Sequence, residues 1–211
     1  MNKVITGIST LAIAAGMFAT SAVAGDGPWQ VRVRGLSVQP NESATISAIG
    51  GDVDINKDAV PELDITYFFN KHFAAELILA TTNHTVGAVG TVAGDVPVGS
   101  VRLLPPTLTA QYHFTPDAKF SPYVGAGLNY TIFYDADAAG GVVTQTDYKN
   151  KFGVALQAGV DFKINDDWFF NVDVKKIFLK TNVDLTTAVG GITADVKLNP
   201  TIIGIGFGKR F

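Results

Sequence analysis

Ten ionisable side chains recur at alternating positions in the strand-like stretches of this chain, and their signs balance. The acids are Glu62, Asp64, Glu76, Asp161 and Asp173, and the bases are Arg32, Arg34, Lys163, Lys175 and Arg210. Because alternate residues of a β-strand share one face, these charges are expected on a common side of the structure. Charged groups that are removed from water persist when they are paired. The pattern predicts a plug of ion pairs that holds the structure together.

The chain has few residues of the types and spacing that form catalytic or metal sites. The three histidines are His72, His84 and His113, and no Ser-x-His or comparable pairing stands beside them, so an acyltransferase or deacylase is disfavoured. An acidic group on the outer loops has two interpretations, a divalent-cation site or, more in keeping with its composition, a solvated loop. Its members are Asp135, Asp137 and Asp147. The absence of cysteine excludes disulfides and cysteine metal sites. We predict neither enzyme activity nor a cofactor.

The residues opposite these charges are apolar, as the last segment of the chain illustrates. Ile203, Ile205 and Phe207 alternate with glycines, and the chain stops at Phe211. An apolar face opposite a small or polar face is typical of a strand between lipid and the lumen of a barrel. The terminal Phe211 is predicted to be an assembly signal for the barrel assembly machinery.

The same alternation divides the chain into eight strand-like segments. They cover 29–40, 59–70, 73–86, 100–115, 121–137, 148–164, 168–187 and 193–211. Short turns at 70–72, 115–120 and 165–167 alternate with longer connections at 41–58, 87–99 and 138–147. We therefore predict an all-β fold, an eight-stranded antiparallel transmembrane β-barrel with short periplasmic turns and longer extracellular loops. A soluble lipocalin-type barrel is disfavoured, because its interior would be overfilled by the large apolar side chains.

The start of the chain places this barrel in a membrane beyond the cytoplasm. Lys3, the apolar run 4–18 and the small residues Ala22-Val-Ala24 have the pattern of a cleaved secretory signal peptide over residues 1–24, which leaves the barrel at 25–211. No later stretch is long and apolar enough for a membrane helix. The prediction is the outer membrane of a Gram-negative bacterium, with lipid and lipopolysaccharide as neighbours. With a formal net charge of −3 and no clustered basic surface, nucleic acid is not an expected partner.

One long segment changes character along its length. In 168–187 the inward positions begin polar, at Asp173 and Lys175, and turn apolar at Ile177 and Leu179. A bulge at Lys175-Lys176 would reverse the two faces, whereas a constant phase gives an apolar upper lumen, which we favour. The residues predicted to line this hydrophobic lumen are Ile78, Leu104, Phe133, Ile177, Leu179 and Ile202.

Two adjacent prolines, Pro105 and Pro106, interrupt the fourth segment. Proline cannot donate a hydrogen bond to a β-ladder, so pairing with a neighbouring strand is weakened here. The pair is interpreted either as a local bulge without function or as a lateral opening through which an apolar solute leaves the lumen for the lipid.

Several motifs give the mature chain a resemblance to the outer membrane protein W family. They are Leu104-Pro-Pro-Thr-Leu108 with Ala110-Gln111, Pro122-Tyr-Val-Gly-Ala-Gly127 with Asn129-Tyr-Thr131 and Phe133, Leu63-Asp-Ile-Thr-Tyr67, Ala75-Glu-Leu77, Gly159-Val-Asp161 with Asn165, and Arg210-Phe211. The resemblance implies an eight-stranded barrel whose hydrophobic channel is closed toward the periplasm and has a lateral exit.

The resemblance also implies a function. It suggests passage of small hydrophobic molecules across the outer membrane and a part in stress tolerance, with Ile78 at the apolar floor of the channel. A relative has an aromatic residue near the position of Lys175. Because this chain has a lysine there, the resemblance does not fix whether the floor of its channel is polar or apolar. The alternative is a closed structural, stress-related or adhesive barrel without transport, which would share the same strands and plug.

Overall fold

The computed structural model describes residues 27–187 and 190–211, and its regular elements are all β-strands. The predicted signal peptide, residues 1–24, lies outside these ranges. The strands are β1 (Trp29–Gln39), β2 (Ser43–Ile46), β3 (Asp52–Ile55), β4 (Asp58–Phe68), β5 (Phe73–Ala80), β6 (Thr82–Thr91), β7 (Gly94–Leu104), β8 (Thr107–His113), β9 (Phe120–Ala138), β10 (Val143–Tyr148), β11 (Lys151–Lys163), β12 (Trp168–Phe178), β13 (Lys180–Thr187), β14 (Gly190–Lys197) and β15 (Thr201–Arg210). Within the described residues no helix is long and apolar enough to cross a membrane.

Eight of these strands close into an antiparallel barrel. Around the barrel the order is β1, β4, β5, β8, β9, β11, β12 and β15, and β15 pairs with β1 to complete the circle. Closure pairs each barrel strand with a neighbour on both sides, which a barrel surrounded by lipid requires. The predicted eight-stranded barrel is confirmed.

Three tight turns join the barrel strands at one end. Asn70 and Asn165 fix two of them, since each side-chain oxygen accepts hydrogen bonds from backbone N–H groups two and three residues further on, at 2.9–3.0 Å. In the third turn, the Thr115 hydroxyl donates to the carbonyl of Phe120 at 2.8 Å. These are the short turns expected on the periplasmic side.

At the other end the strands continue into two sheets that the sequence analysis treated largely as loops. One sheet has the order β9, β7, β6 and β3, and the other has the order β10, β13, β14 and β2. The segments 41–58, 87–99 and 138–147 therefore contain β2, β3, the hairpin of β6 and β7, and the start of β10. Their partners lie far away in the chain, as in the pairing of Ile46 with Ala194, and local composition does not encode such pairings.

The outer and inner faces of the barrel differ as the alternation predicts. Large apolar side chains are exposed on the outside, including Leu128 (63 %), Ile205 and Phe207. Inside, Arg32 and Arg34 lie directly opposite Gly208 and Gly206 of β15. A Cβ atom at Gly206 would collide with the backbone carbonyl oxygen of Val33 and would stand 2.9 Å from Cγ of Arg34, so glycine allows the close approach of β1 and its arginine side chain.

The phase of the β12 segment is constant. β11 pairs with β12 from Lys163 opposite Phe169 to Val154 opposite Phe178 without a shift. Inward positions run from Asp173 and Lys175 to Ile177, and then to Leu179 just beyond the strand. The structure thus has no bulge at Lys175-Lys176, and the preferred interpretation of a constant phase is confirmed.

Candidate functional site

The lower lumen, on the side of the tight turns, is filled by a buried network centred on two arginines. Arg32 lies 3.1 Å from Asp64, 3.0 Å from Glu76 and 3.1 Å from Asp161. These three carboxylates come from β4, β5 and β11, so a single guanidinium ties together strands from opposite sides of the barrel. Its five N–H donors in a fixed plane suit such multiple pairing.

Arg34 and Lys175 form the upper layer of this network. Arg34 lies 2.6 Å from Glu62 and 2.9 Å from the second oxygen of Asp64. The ammonium group of Lys175 lies 2.6 Å from Asp173 and 3.3 Å from Glu62. The eight residues with their charges in this network are called the plug below. They are Arg32, Arg34, Glu62, Asp64, Glu76, Asp161, Asp173 and Lys175.

Neutral side chains complete the hydrogen bonding of the plug. Gln157 donates to Glu76 at 2.8 Å and to Asp173 at 2.9 Å, and Gln111 donates to Glu76 at 2.8 Å. The Tyr123 hydroxyl donates to Asp173 at 3.0 Å. Since buried charges are costly unless their remaining hydrogen-bonding capacity is satisfied, these amides and the hydroxyl stabilise the carboxylates of Glu76 and Asp173 beyond what the three cations provide.

The other two predicted plug residues, Lys163 and Arg210, lie below the network at the periplasmic rim. Both line a smaller cavity of about 40 Å³. Arg210 donates from Nε to the carbonyl of Gly27 at 3.0 Å, and its guanidinium lies 4.2 Å from the ring centroid of Phe68. Phe211 lies at the same rim, where its N–H donates to the carbonyl of Trp29 at 2.8 Å.

Above the plug the lumen opens into a cavity of about 110 Å³, called the upper cavity below. Most of its lining is aliphatic, contributed by strands of the barrel and of both extracellular sheets. Glu62, Lys175, Thr107 and Thr131 form its polar floor. The lumen therefore changes from an ion-paired interior to an apolar one within the height of two residues on β12, from Lys175 to Ile177.

Five of the six residues predicted to line the hydrophobic lumen do line the upper cavity. They are Ile78, Phe133, Ile177, Leu179 and Ile202. The placement of Leu104 is wrong, because its side chain is outward and 37 % exposed. Thr107, Thr109 and Gln111 are inward, and the same parity continues through the prolines to Leu103, which lines the cavity in place of Leu104.

The wall of the barrel is interrupted at Pro105 and Pro106 on one side only. Toward β9 it is continuous, since the N–H of Tyr130 donates to the carbonyl of Pro106 at 3.0 Å. Toward β5 and β6, pairing stops after Ile78 opposite Thr107 and resumes at Thr82 opposite Leu103. Residues 79–81 and 104–106 do not pair with each other across this gap, which spans roughly 10 Å at the usual rise per residue.

Three polar side chains of the cavity wall were not identified from the sequence. Thr82 and His84 are inward on β6 and buried, and Tyr148 stacks against Phe133 with ring centroids 5.5 Å apart. Burial raises the pKa of Tyr148 to about 12. Counting in twos from Ile78 places both β6 residues inside.

Two of the three acidic residues of the predicted outer group, Asp135 and Asp147, face basic partners. Asp135 lies 3.4 Å from Arg102, and Asp147 lies 2.6 Å from Lys149. The hydrogen bonds that the ammonium group of Lys149 donates to Asp147 and, as the second contribution, to Asp184 raise the pKa of Lys149. Among the described residues no group of three or more histidine, aspartate or glutamate side chains is arranged to hold a metal ion.

Together these features define a class of protein. A closed barrel with apolar side chains outside and buried charges inside is the reverse of a soluble protein, and it is the arrangement of an integral outer membrane β-barrel. The exposed rings of Trp29, Phe69, Phe73 and Trp168 lie at the periplasmic end of the strands, where an aromatic girdle is expected.

The chain belongs to the OmpW family, whose family model matches residues 25–211. It is 46% identical over 196 residues to the uncharacterized outer-membrane protein y4mB of Sinorhizobium fredii, covering 92% of this chain and 84% of that protein. It is 31% identical to outer membrane protein W of Vibrio cholerae over the full length of both. The crystal structure of the outer membrane protein OprG from Pseudomonas aeruginosa is similar, with a TM-score of 0.81 and 28% identity over 89% of this chain and 97% of that chain.

These comparisons confirm the resemblance to the family, the barrel fold and the Gram-negative outer membrane as its location. The family match begins at residue 25, while cleavage after residue 24 stays a prediction. The family and the fold are those of outer membrane barrel proteins.

Proposed function

We propose that the protein is a conduit that passes small hydrophobic molecules from the extracellular side into the outer membrane. The observation that supports this proposal most strongly is the apolar upper cavity above a closed, ion-paired plug. A solute that enters from above meets aliphatic side chains such as Leu36, Ile177 and Leu179. Farther down it meets the buried ion pairs of the plug, which an apolar solute would have to separate.

The gap beside Pro105 and Pro106 is the proposed exit. Residues on both of its edges line the upper cavity, among them Ile78, Ala80, Thr82, Leu103 and Pro105. The outer wall just below the gap carries the exposed apolar side chains of Leu77 and Leu108, which lie opposite each other, and it is in contact with lipid in the proposed orientation. A solute at the cavity floor is therefore separated from lipid by an unpaired stretch of backbone and not by a hydrogen-bonded wall.

The physical role of such a path follows from the two layers of the outer leaflet. The polar saccharide layer of lipopolysaccharide resists an apolar solute, whereas the acyl chains beneath dissolve it. The extracellular sheets carry an apolar interior through the height of the polar layer. No catalytic step is part of the proposal.

The test is uptake of a small apolar fluorescent solute by vesicles that contain lipopolysaccharide and the refolded protein. Leu179→Lys places a charge in the cavity wall, where Leu179 is 3 % exposed, and should abolish the accelerated uptake. The matched control is Thr186→Lys, a charge on the outer face of β13. Uptake equal to that of protein-free vesicles would overturn the conduit and favour the closed structural barrel.

The exit has a separate test. Replacing Pro105 and Pro106 with valine restores two N–H donors and should let residues 104–106 pair with 79–81. We expect slower delivery to the lipid while the cavity still binds the solute. The control is Pro97→Val in β7, away from the gap. Unchanged delivery by the sealed variant would contradict a lateral exit there, and would leave the upper cavity as an entry site.

A further inference from the structure

We propose that Thr82, His84 and Tyr148 form a binding site for the hydroxyl group of an otherwise apolar solute, such as a phenol. The inference rests on the proposed conduit and names the class of solute that the upper cavity favours. All three side chains line that cavity, and the rest of its wall at their level is aliphatic or aromatic.

The orientation of His84 is fixed by one hydrogen bond. Its Nδ1 lies 2.8 Å from the backbone carbonyl of Asn56. A carbonyl oxygen only accepts, so Nδ1 must carry a hydrogen and donate it. The imidazole is thereby held with Nε2 as its remaining polar atom, and the side chain is 5 % exposed. A hydroxyl group both donates and accepts, so it can bind Nε2 in either protonation state of the ring.

Thr82 and Tyr148 supply the second and third polar atoms. Thr82 is two residues from His84 on the same face of β6. In register, Thr82 lies opposite Leu103, and Leu103 lies opposite Phe133, against which Tyr148 stacks. Thr82, His84 and Tyr148 therefore lie around the side chains of Leu103 and Phe133, at nearly the same height in the cavity.

These polar atoms lack partners in the protein. Within residues 27–187 and 190–211, no hydrogen bond satisfies Nε2 of His84 or the hydroxyl groups of Thr82 and Tyr148, whereas Thr107, Thr131 and Thr181, which also line the cavity, each donate to a protein oxygen. Polar groups in an apolar enclosure are normally hydrogen-bonded. Three such groups in one part of the wall are suited to a ligand that brings its own donor and acceptor.

The opposite wall explains why the rest of the ligand must be apolar. Leu36, Val38, Ile46 and Ile202 face the cavity there and are at most 8 % exposed. An apolar cavity of roughly 150 Å³ accepts a benzene molecule, and the upper cavity has about 110 Å³ with an opening above. The enclosed volume is smaller than that benzene cavity, so a single aromatic ring with one hydroxyl group is expected to extend partly into the opening above, with its hydroxyl group toward the polar side chains.

The experiment compares equilibrium binding of p-cresol and toluene, which differ by one hydroxyl group, to the refolded protein in lipid nanodiscs. After subtraction of partitioning into protein-free nanodiscs, p-cresol should bind roughly three- to tenfold more tightly, the gain of one or two hydrogen bonds. The variants remove one polar group each: Thr82→Val, Tyr148→Phe and His84→Asn, in which the asparagine amide keeps a donor for the carbonyl of Asn56. Each should lower the preference for p-cresol and leave toluene binding unchanged.

Matched controls make the same changes outside the cavity. Thr85→Val lies on the outer face of β6, and Tyr130→Phe lies on the outer face of β9, where it packs on Phe152. Equal binding of the two solutes, no binding of either, or a preference that persists in the triple variant would overturn the inference. Binding with the expected preference but without accelerated uptake into vesicles would instead overturn the conduit and leave the binding site standing.

Discussion

Below Ile177 the lumen is filled by three cations and five carboxylates, whereas above Lys175 the same strands enclose an open apolar cavity. The barrel strands keep the same alternation through both regions, so the difference lies in which side chains occupy their inward positions and in the extracellular sheets, which add aliphatic side chains to the upper wall. The plug excludes water and solute because its buried charges are paired with one another. Separating a pair would leave buried charges of like sign next to each other. The upper cavity resists only polar solutes. One barrel can therefore be closed along its axis and still receive an apolar molecule.

The largest change in stability is expected when a cation is removed from the plug. Arg34→Leu leaves Glu62, Asp64 and Glu76 with fewer partners in a region closed to water, and the loss of one partner from such a network costs about 3–5 kcal/mol. The free energy of unfolding can be followed in urea through Trp29 and Trp168. Arg102→Leu is the control, since the Arg102–Asp135 pair is about half exposed. Equal effects of the two changes would contradict a sealed plug.

A smaller effect is expected in the upper cavity. Leu179→Ala removes buried methyl groups but creates no unpaired charge, so the free energy of unfolding should fall by about 2–3 kcal/mol. The same variant widens the cavity and should bind bulkier apolar solutes. Val92→Ala, at a position 86 % exposed, is the control for loss of apolar volume. A loss as large as that of Arg34→Leu would show that the two halves are not energetically distinct.

The sequence predicted the features that depend on local alternation, and it missed those that depend on distant partners. The inward positions of β12 followed from counting in twos, which placed Lys175 and Ile177 correctly on either side of the boundary. Leu104 was misplaced because the prolines obscured a parity that in fact continues to Thr107. The extracellular sheets escaped prediction, because pairings such as that of β2 with β14 join residues about 150 positions apart in the sequence. Tyr148 was missed for the same reason, since it enters the wall through those sheets, whereas the inward positions of Thr82 and His84 follow from counting in twos along the chain.

A single substitution should shift the boundary between the plug and the upper cavity downward. Lys175→Met removes the charge at the cavity floor, while Asp173 keeps Tyr123 and Gln157 as donors. The free energy of unfolding should therefore fall by only about 1–2 kcal/mol, and apolar solutes should bind somewhat more tightly to the deeper, less polar floor. Binding measurements on nanodiscs check the second effect. Weaker binding of toluene by this variant would indicate that the Lys175 side chain shapes the cavity as an apolar stem.

The smallest effect is expected at an ion pair that lies outside both halves of the lumen. Lys71 and Asp117 are 2.8 Å apart in the periplasmic turns, with side chains 70 % and 73 % exposed. The hydrogen bond from Lys71 lowers the pKa of Asp117. A carboxyl group with a lowered pKa stabilises the fold above its unfolded-state pKa, and that contribution is lost as the pH falls through the folded-state pKa. Lys71→Ala should raise the pKa of Asp117 toward its ordinary value, as measured by NMR titration, and leave the urea midpoint at neutral pH unchanged because solvent screens exposed pairs. A clear fall in the free energy of unfolding of Lys71→Ala at neutral pH would contradict this prediction. It would mean that an ion pair of good geometry stabilises this barrel even when it is exposed.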